Sequence, residues 1–301
     1  MQDLDYRRGV LFIVMAGVLW SLNGLLLRMI GDVGTWPVLF YRSLGMVPAI
    51  TLWMLYSHGG RALSAMRARG WPSAICALAL VFAFAGGVYS MQATTIANAV
   101  FIFAAAPLIT AALAGPVLGE AVRLLTWLAI AIAAIGIFIM VRSGLEIGHG
   151  LGEAAALMSA TGFSIFTLTL RRARLSDMMP SVGFGGAITI LVALFAVYLR
   201  DESLMIPLKA AAISMLMGAG TIVGGMILFT IGTKSVPAAE AGLLALLEVL
   251  LAPVWVWLFW NEQVAFETFV GGGLLLASLV LNAATGVQAA YLPRRKNRER
   301  A

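Results

Sequence analysis

The sequence predicts an all-α membrane protein, with ten transmembrane helices arranged as two inverted five-helix repeats around a central cavity. Three observations carry this expectation. Hydrophobic residues fill 61% of the 301 positions, charged residues only 11%, and the mean hydropathy is +0.96, far from the balance of a water-soluble domain. Apolar windows of about 20 residues, the length that crosses a bilayer core, recur between short turn signals. The basic residues collect on alternate connections, the pattern that orients a multi-pass protein.

The windows fall at 9–30, 37–56, 71–91, 95–117, 122–141, 151–172, 180–199, 209–231, 236–260 and 264–288. The first follows Arg7 and Arg8 and is too long for the apolar core of a cleaved signal, so it reads as a retained helix. No connection is long enough to fold separately, so 1–301 reads as a single membrane domain whose residues 289–301 form a basic cytoplasmic tail. With the amino terminus inside, fifteen of the twenty Lys and Arg lie on cytoplasmic segments. The opposite side and the helix ends facing it hold Arg28, Arg42, Arg142, Arg200 and Lys209, partly offset by Asp32, Glu146, Glu153, Asp201 and Glu202. Both termini are therefore expected in the cytoplasm, and no mid-span Arg or Lys is expected. The net charge of +6 and pI near 9.9 belong to this orientation signal, not to a nucleic-acid surface. A single cysteine, Cys76, excludes an internal disulfide or a thiolate metal site.

An internal duplication supplies the symmetry. Shifting the chain by 143 pairs Gly9 with Gly152, Met15 with Met158, Ser21 with Ser164, Arg28 with Arg171 and Pro37 with Pro180, and sets Trp20 opposite Phe163. A shift of 142 pairs Ala97 with Ala239, Glu120 with Glu262 and Thr126 with Thr268. The repeats are 9–141 and 151–288. Five spans is an odd number, so the second copy must enter the membrane upside down, which favours a midplane site with alternating access.

Glu248 stands about twelve residues into the ninth span, near the midplane at roughly 1.5 Å per residue. A carboxyl there is either a substrate-ammonium or proton site, or a protonated group bonded to a neighbouring helix. Glu240 follows Pro237 in the first turn of that span, where helix capping or a cavity role both fit, and its repeat partner is Asn98. Asn23 and Ser21 place polar atoms at depth in the first span, as interhelical hydrogen bonds or as cavity groups. Pro107 and Pro253 interrupt the fourth and ninth spans; under the 142 shift Pro107 faces Val249, so the second kink is displaced by four residues, about one turn, and interruptions in both halves point to a transporter site and its gating. Gly86-Gly87, Gly224-Gly225 and Gly271-Gly272-Gly273 read as close-packing positions. Trp20, Tyr89, Phe101, Phe163 and Phe166 could either pack or line an amphipathic pocket, whereas Trp255, Trp257 and Trp260 read as interface anchors. His58 and His149 are in loops and no metal-ligand cluster or nucleophile elbow occurs, so neither an enzyme, a metal site nor a cofactor is expected.

Ten short-looped spans in five-plus-five order, a tryptophan-bearing first helix followed by Arg28, and the stretch Pro107 to Glu120 echoed by Pro253 to Glu262 resemble the EamA family of the drug/metabolite transporter superfamily. Within it the chain most resembles the YddG-type exporters of aromatic and other neutral amino acids. That resemblance implies an inner-membrane exporter, monomeric or weakly dimeric, working by alternating access on a small molecule such as an amino acid. It implies Trp20, Asn23, Tyr89, Asn98, Phe101, Phe163, Phe166, Glu240 and Glu248 as cavity residues. Residues 9–30 lack the acidic residue of the small multidrug-resistance relatives, which argues against obligate proton-coupled export of cationic drugs. Proton-coupled efflux of another metabolite or drug, through Glu248, is the alternative.

Overall fold

The computed structural model describes residues 2–58, 70–119, 124–146, 150–173, 179–236, 244–245 and 247–291. Among them every regular element is helical and no strand occurs. In chain order these are α1 (Gln2–Ile30), α2 (Thr35–His58), α3 (Gly70–Ala93), α4 (Ile96–Phe103), α5 (Ala106–Leu118), α6 (Leu124–Glu146), α7 (Gly150–Arg172), α8 (Met179–Leu199) and α9 (Leu208–Leu216). There follow a π-helical segment (Met217–Gly224), α10 (Gly225–Gly232), α11 (Leu247–Trp260) and α12 (Phe266–Tyr291). Helices satisfy their own backbone groups, which is what lipid demands of a spanning segment.

Seven stretches among the described residues are long and apolar enough to cross a membrane: Tyr6–Ile30, Thr35–Ser57, Trp71–Ala93, Ile96–Leu118, Gly150–Leu170, Met179–Leu199 and Leu208–Gly232. Three apolar helices are shorter over their described part, Leu124–Met140, Leu247–Trp260 and Phe266–Leu281. The outer surface carries Leu52, Trp71, Phe138, Phe195, Phe259 and Phe266, each more than 60% exposed. Water would not support such a surface, whereas acyl chains solvate it.

Local chemistry sets the breaks. Gly31 ends α1 and Gly119 caps α5, both at positive φ where a side chain would be strained. Thr95 opens α4 by accepting the Asn98 N–H on its hydroxyl. The fourth span breaks into α4 and α5 at Ala104–Ala105, with Pro107 seated in the first turn of the new helix, where its missing N–H is tolerated. Pro253 lies buried inside a continuous α11, so the two prolines act differently. The eighth span departs from the sequence reading: Met217–Gly224 takes π geometry between two α segments. Such bulges interrupt the i to i−4 ladder and recur at functional sites.

Small residues bring the helices together. A Cβ on Gly86 would meet Ala155 O, and Ser159 on α7 donates to Ala83 O of α3 at 2.7 Å. Gly9 and Gly232 cross α1 over α10, Gly136 and Gly271 cross α6 over α12, and Gly45 and Gly218 seat α2 against the backbone of the eighth span and its backbone against α2. Between lipid-solvated helices, close backbone approach and dispersion drive association. The crossings α3 on α7, α1 on α10 and α11, α2 on α8 and α6 on α12 build the molecule.

Candidate functional site

The first candidate wall forms where α1 meets the π segment. Trp20 lays its indole on Gly225, where a Cβ would collide with the ring, and its centroid is 5.5 Å from that of Phe229. One turn on, Asn23 donates from Nδ2 to Trp20 O at 2.9 Å and accepts on Oδ1 from the Thr221 hydroxyl at 2.7 Å. Trp20 and Asn23 are both half-buried. An aromatic ring and a side-chain amide thus lie one turn apart on the same side of the span, which suits a ligand with an apolar and a polar end. Ser21 is buried and turns the other way, accepting from Trp255 Nε1 at 2.9 Å. Trp255 is therefore an inter-helix bond rather than an interface anchor, while Trp257 and Trp260 are exposed.

The other sequence candidates divide. Phe163 is half-exposed and contacts Phe103 and Phe166, with centroids 5.7 and 5.8 Å away. Phe166 itself is 1% exposed, inside an apolar cluster with Met46, Ile50, Leu80 and Met179, so it is a packing residue. Phe101 is buried with its ring on Gly272 of α12 and likewise packs. Tyr89 is exposed. Glu248 is half-buried at the level of Gly17 on α1, whose Cβ position lies 3.6 Å from Glu248 N. Among the described residues Glu248 has no hydrogen-bond or ion-pair partner. Glu240 and Glu120 lie outside the described residues.

Asn98 belongs to a different assembly, at the end of the molecule where α1 stops. It is buried, donates from Nδ2 to Glu153 Oε1 at 2.7 Å and accepts on Oδ1 from the Thr268 hydroxyl. Glu153 is 0% exposed, and its Oε2 has no partner among the described residues. Beside it, Arg28 Nε donates to Glu262 Oε2 at 2.9 Å and Arg28 Nη2 to Thr94 O at 3.2 Å, while Glu262 Oε1 accepts the Ile96 N–H at 2.7 Å. The amino ends of α4, α7 and α12 supply polar N–H groups here, so two carboxylates are well placed. Glu153 thus stands in the first turn of α7, at a helix end as the sequence suggests, but is buried there and bonded to Asn98 of α4.

Arg42 is a group the sequence reading misplaced. It lies within α2, 8% exposed, its guanidinium 4.8 Å from the centroid of Phe84 on α3, and its Nε has no partner. Counting inward from Thr35 would have found it: seven residues, about 10 Å, separate it from the helix start. An apolar groove of about 530 Å³ between α3 and α7, lined by Ile75, Phe82, Leu157 and Met158 among others, includes none of the candidates. Among the described residues, no three His, Cys, Asp or Glu side chains come together as a metal site.

Known proteins give this geometry a context. The sequence profile of the EamA-like transporter family matches residues 7–142 and again 150–284. The chain belongs to the EamA-like transporter family. An uncharacterised transporter from Archaeoglobus fulgidus is similar to this EamA-like protein, 24% identical over 201 residues that cover 64% of this chain and 69% of the relative. One solved crystal structure, 18% identical, superposes on the EamA-like chain with a TM-score of 0.67 over 92% of it and 98% of its own length, a likeness of fold. Membership makes the chain a multi-pass membrane transporter with a small-molecule substrate, and a transporter rather than an enzyme is what the family implies.

Proposed function

We propose that this EamA-like transporter exports neutral, aromatic amino acids or closely similar metabolites from the cytoplasm by alternating access, in the manner of YddG-type exporters. The observation that carries the reading is the wall made by Trp20, Phe229, Asn23 and Thr221, where a pair of rings and a bonded amide and hydroxyl follow one another along the contact between two helices. Rings suit an aromatic side chain and the Asn23 and Thr221 oxygens suit an ammonium. Phe163, at the position equivalent to Trp20, would add a second wall.

The mechanism needs ten spans in two inverted halves, 9–141 and 151–288, and several features support that arrangement. Arg28 at the finish of α1 and the opening turns of α4, α7 and α12 share one polar cluster, so α1 and α7 run in opposite directions. The family profile matches once in each half. Gly119 and Asn261, 142 apart, both end their helices at positive φ, which Asn tolerates better than other side chains. Ser21 ties α1 to α11, and its repeat partner Ser164 ties α7 to Ala106 O of α5. Exchanging the halves thus exchanges the contacts. The basic residues favour both termini in the cytoplasm of an inner membrane, and a monomer or weak dimer is the expected assembly.

Proteoliposomes preloaded with unlabelled substrate should accumulate labelled Phe or Trp saturably, with Thr and Met weaker. Absence of saturable exchange for all four overturns the substrate reading. A second reading, proton-driven efflux of another metabolite, is favoured by one observation, Glu248 level with Gly17 and without a partner among the described residues. In that case Glu248→Gln abolishes concentrative transport driven by a pH gradient but spares equilibrium exchange; transport indifferent to both the gradient and the substitution removes it.

A further inference from the structure

We propose that Arg42 is an anion site inside the membrane domain, and that it receives the carboxylate of the transported molecule. This deepens the amino-acid reading and rests on it only for which acid is carried.

The argument begins with burial. Arg42 sits about 10 Å inside α2 and is 8% exposed, yet among the described residues it makes no ion pair and its Nε meets no acceptor. Ionisable groups inside spans are disfavoured unless they pair or face a pathway, so an unpaired one marks a functional position. The contact it does make offers its N–H donors no acceptor oxygen. The guanidinium carbon lies over the Phe84 ring, 4.8 Å from its centroid, an attraction that uses the charge and not the hydrogen-bonding groups. A planar fork of donors with no acceptor among the described residues matches the two oxygens of a carboxylate.

The backbone beneath it is fixed. A Cβ on Gly218 would fall on Arg42 O, and one on Gly45 would meet Met215 O, so α2 and the eighth span are in backbone contact at this level. Gly218 and Thr221 lie three residues apart in the same π segment, and Thr221 holds Asn23. The backbone of Arg42 and the side chain of Asn23 are therefore both held against one short segment. An internal countercharge is the competing role, and Glu202 is its candidate, because Glu202 Oε2 lies buried and unpartnered near Gly34. The two make no ion pair in the structure.

The test measures thermal stabilisation of purified full-length protein by phenylalanine, phenylacetate and phenylalaninamide, which separate the carboxylate from the ammonium. Phenylalanine and phenylacetate are expected to stabilise the wild type and phenylalaninamide is not. Arg42→Gln is expected to weaken both acids by at least about 30-fold, and Arg42→Lys, which keeps the charge without the fork, by several-fold. Stabilisation by phenylacetate alone, lost in Arg42→Gln, upholds the anion site and removes the amino-acid reading. Phenylalanine binding that is equal in wild type and Arg42→Gln overturns the anion site and leaves the amino-acid reading standing. If Arg42→Gln does not fold, unchanged affinity for both acids in Arg42→Lys overturns the site. Glu202→Gln reproducing the Arg42→Gln loss assigns Arg42 to an internal pair and also overturns it. No stabilisation of the wild type by either acid overturns both readings.

Discussion

Removing the Glu262 carboxylate tests whether the polar cluster at the Arg28 end holds the fold together. Glu262 accepts the Ile96 N–H at 2.7 Å and the Arg28 Nε–H at 2.9 Å. Ile96 is 0% exposed and opens α4, so in Glu262→Ala its N–H has neither a helical partner nor water, which costs about 1–3 kcal/mol. Arg28 and Glu262 keep 24% and 18% side-chain exposure, so loss of their charge attraction adds no more than about 1 kcal/mol after solvent screening. A total of about 1–4 kcal/mol, at roughly 2 °C per kcal/mol for a chain of this size, lowers Tm by about 2–8 °C. Cys76 supplies the assay: it is the single cysteine and is 0% exposed, so a thiol-reactive fluorophore reports unfolding in detergent without any engineered label. Glu262→Gln keeps an acceptor for Ile96 and loses only the charge, so its Tm should fall by no more than about 2 °C. A Glu262→Ala Tm within 1 °C of wild type, or equal losses for the two variants, refutes the reasoning.

Other consequences are equally concrete. Gly218→Leu drives a side chain into the Arg42 carbonyl and should abolish the monodisperse peak in detergent chromatography, whereas Gly273→Ala, with nothing within 4 Å of its Cβ position, should elute and melt as wild type. Asn98→Leu strips Glu153 and Thr268 of their shared partner and should destabilise by about 2–4 kcal/mol in the same thermal assay. Trp20→Ala should raise the KM for aromatic substrates at least several-fold more than for Thr in exchange assays, because the ring surface against Phe229 disappears while Asn23 remains.

Much of the architecture could be read from the chain because lipid imposes length: the apolar windows coincide with the observed helices to within a few residues over most of the described chain. Glycine pairs were legible for a related reason, since Gly86, Gly225 and Gly271 mark places where backbones or rings touch. Facing was not legible. In water a helix betrays its inner side by polarity, but lipid and protein core are equally apolar, so Phe101 and Phe166 could not be told from cavity residues before their contacts with Gly272 and Met46 were known. Depth was misjudged for Arg42, because a charge near a helix start was assigned to the interface although it lies buried between helices; Glu153 does stand at a helix end, and only its burial was not legible. Asn23 stood out because an amide in a long apolar run has few innocuous places to go, and of its two readings the interhelical hydrogen bond is present, to Thr221. The π geometry left no trace beyond a Gly-rich stretch.

That eight-residue stretch has a mechanical corollary. A wider turn holds more residues per revolution than the α segments on either side, so moving its boundary by one residue swivels everything beyond it about the rod axis. Gly218 bears on the second rod and Gly225 on the first, with the wide coil between them. A one-residue migration would therefore turn the indole's seat away from its ring while the other bearing kept its grip, a rotary freedom that a uniform α-helix at this position would lack.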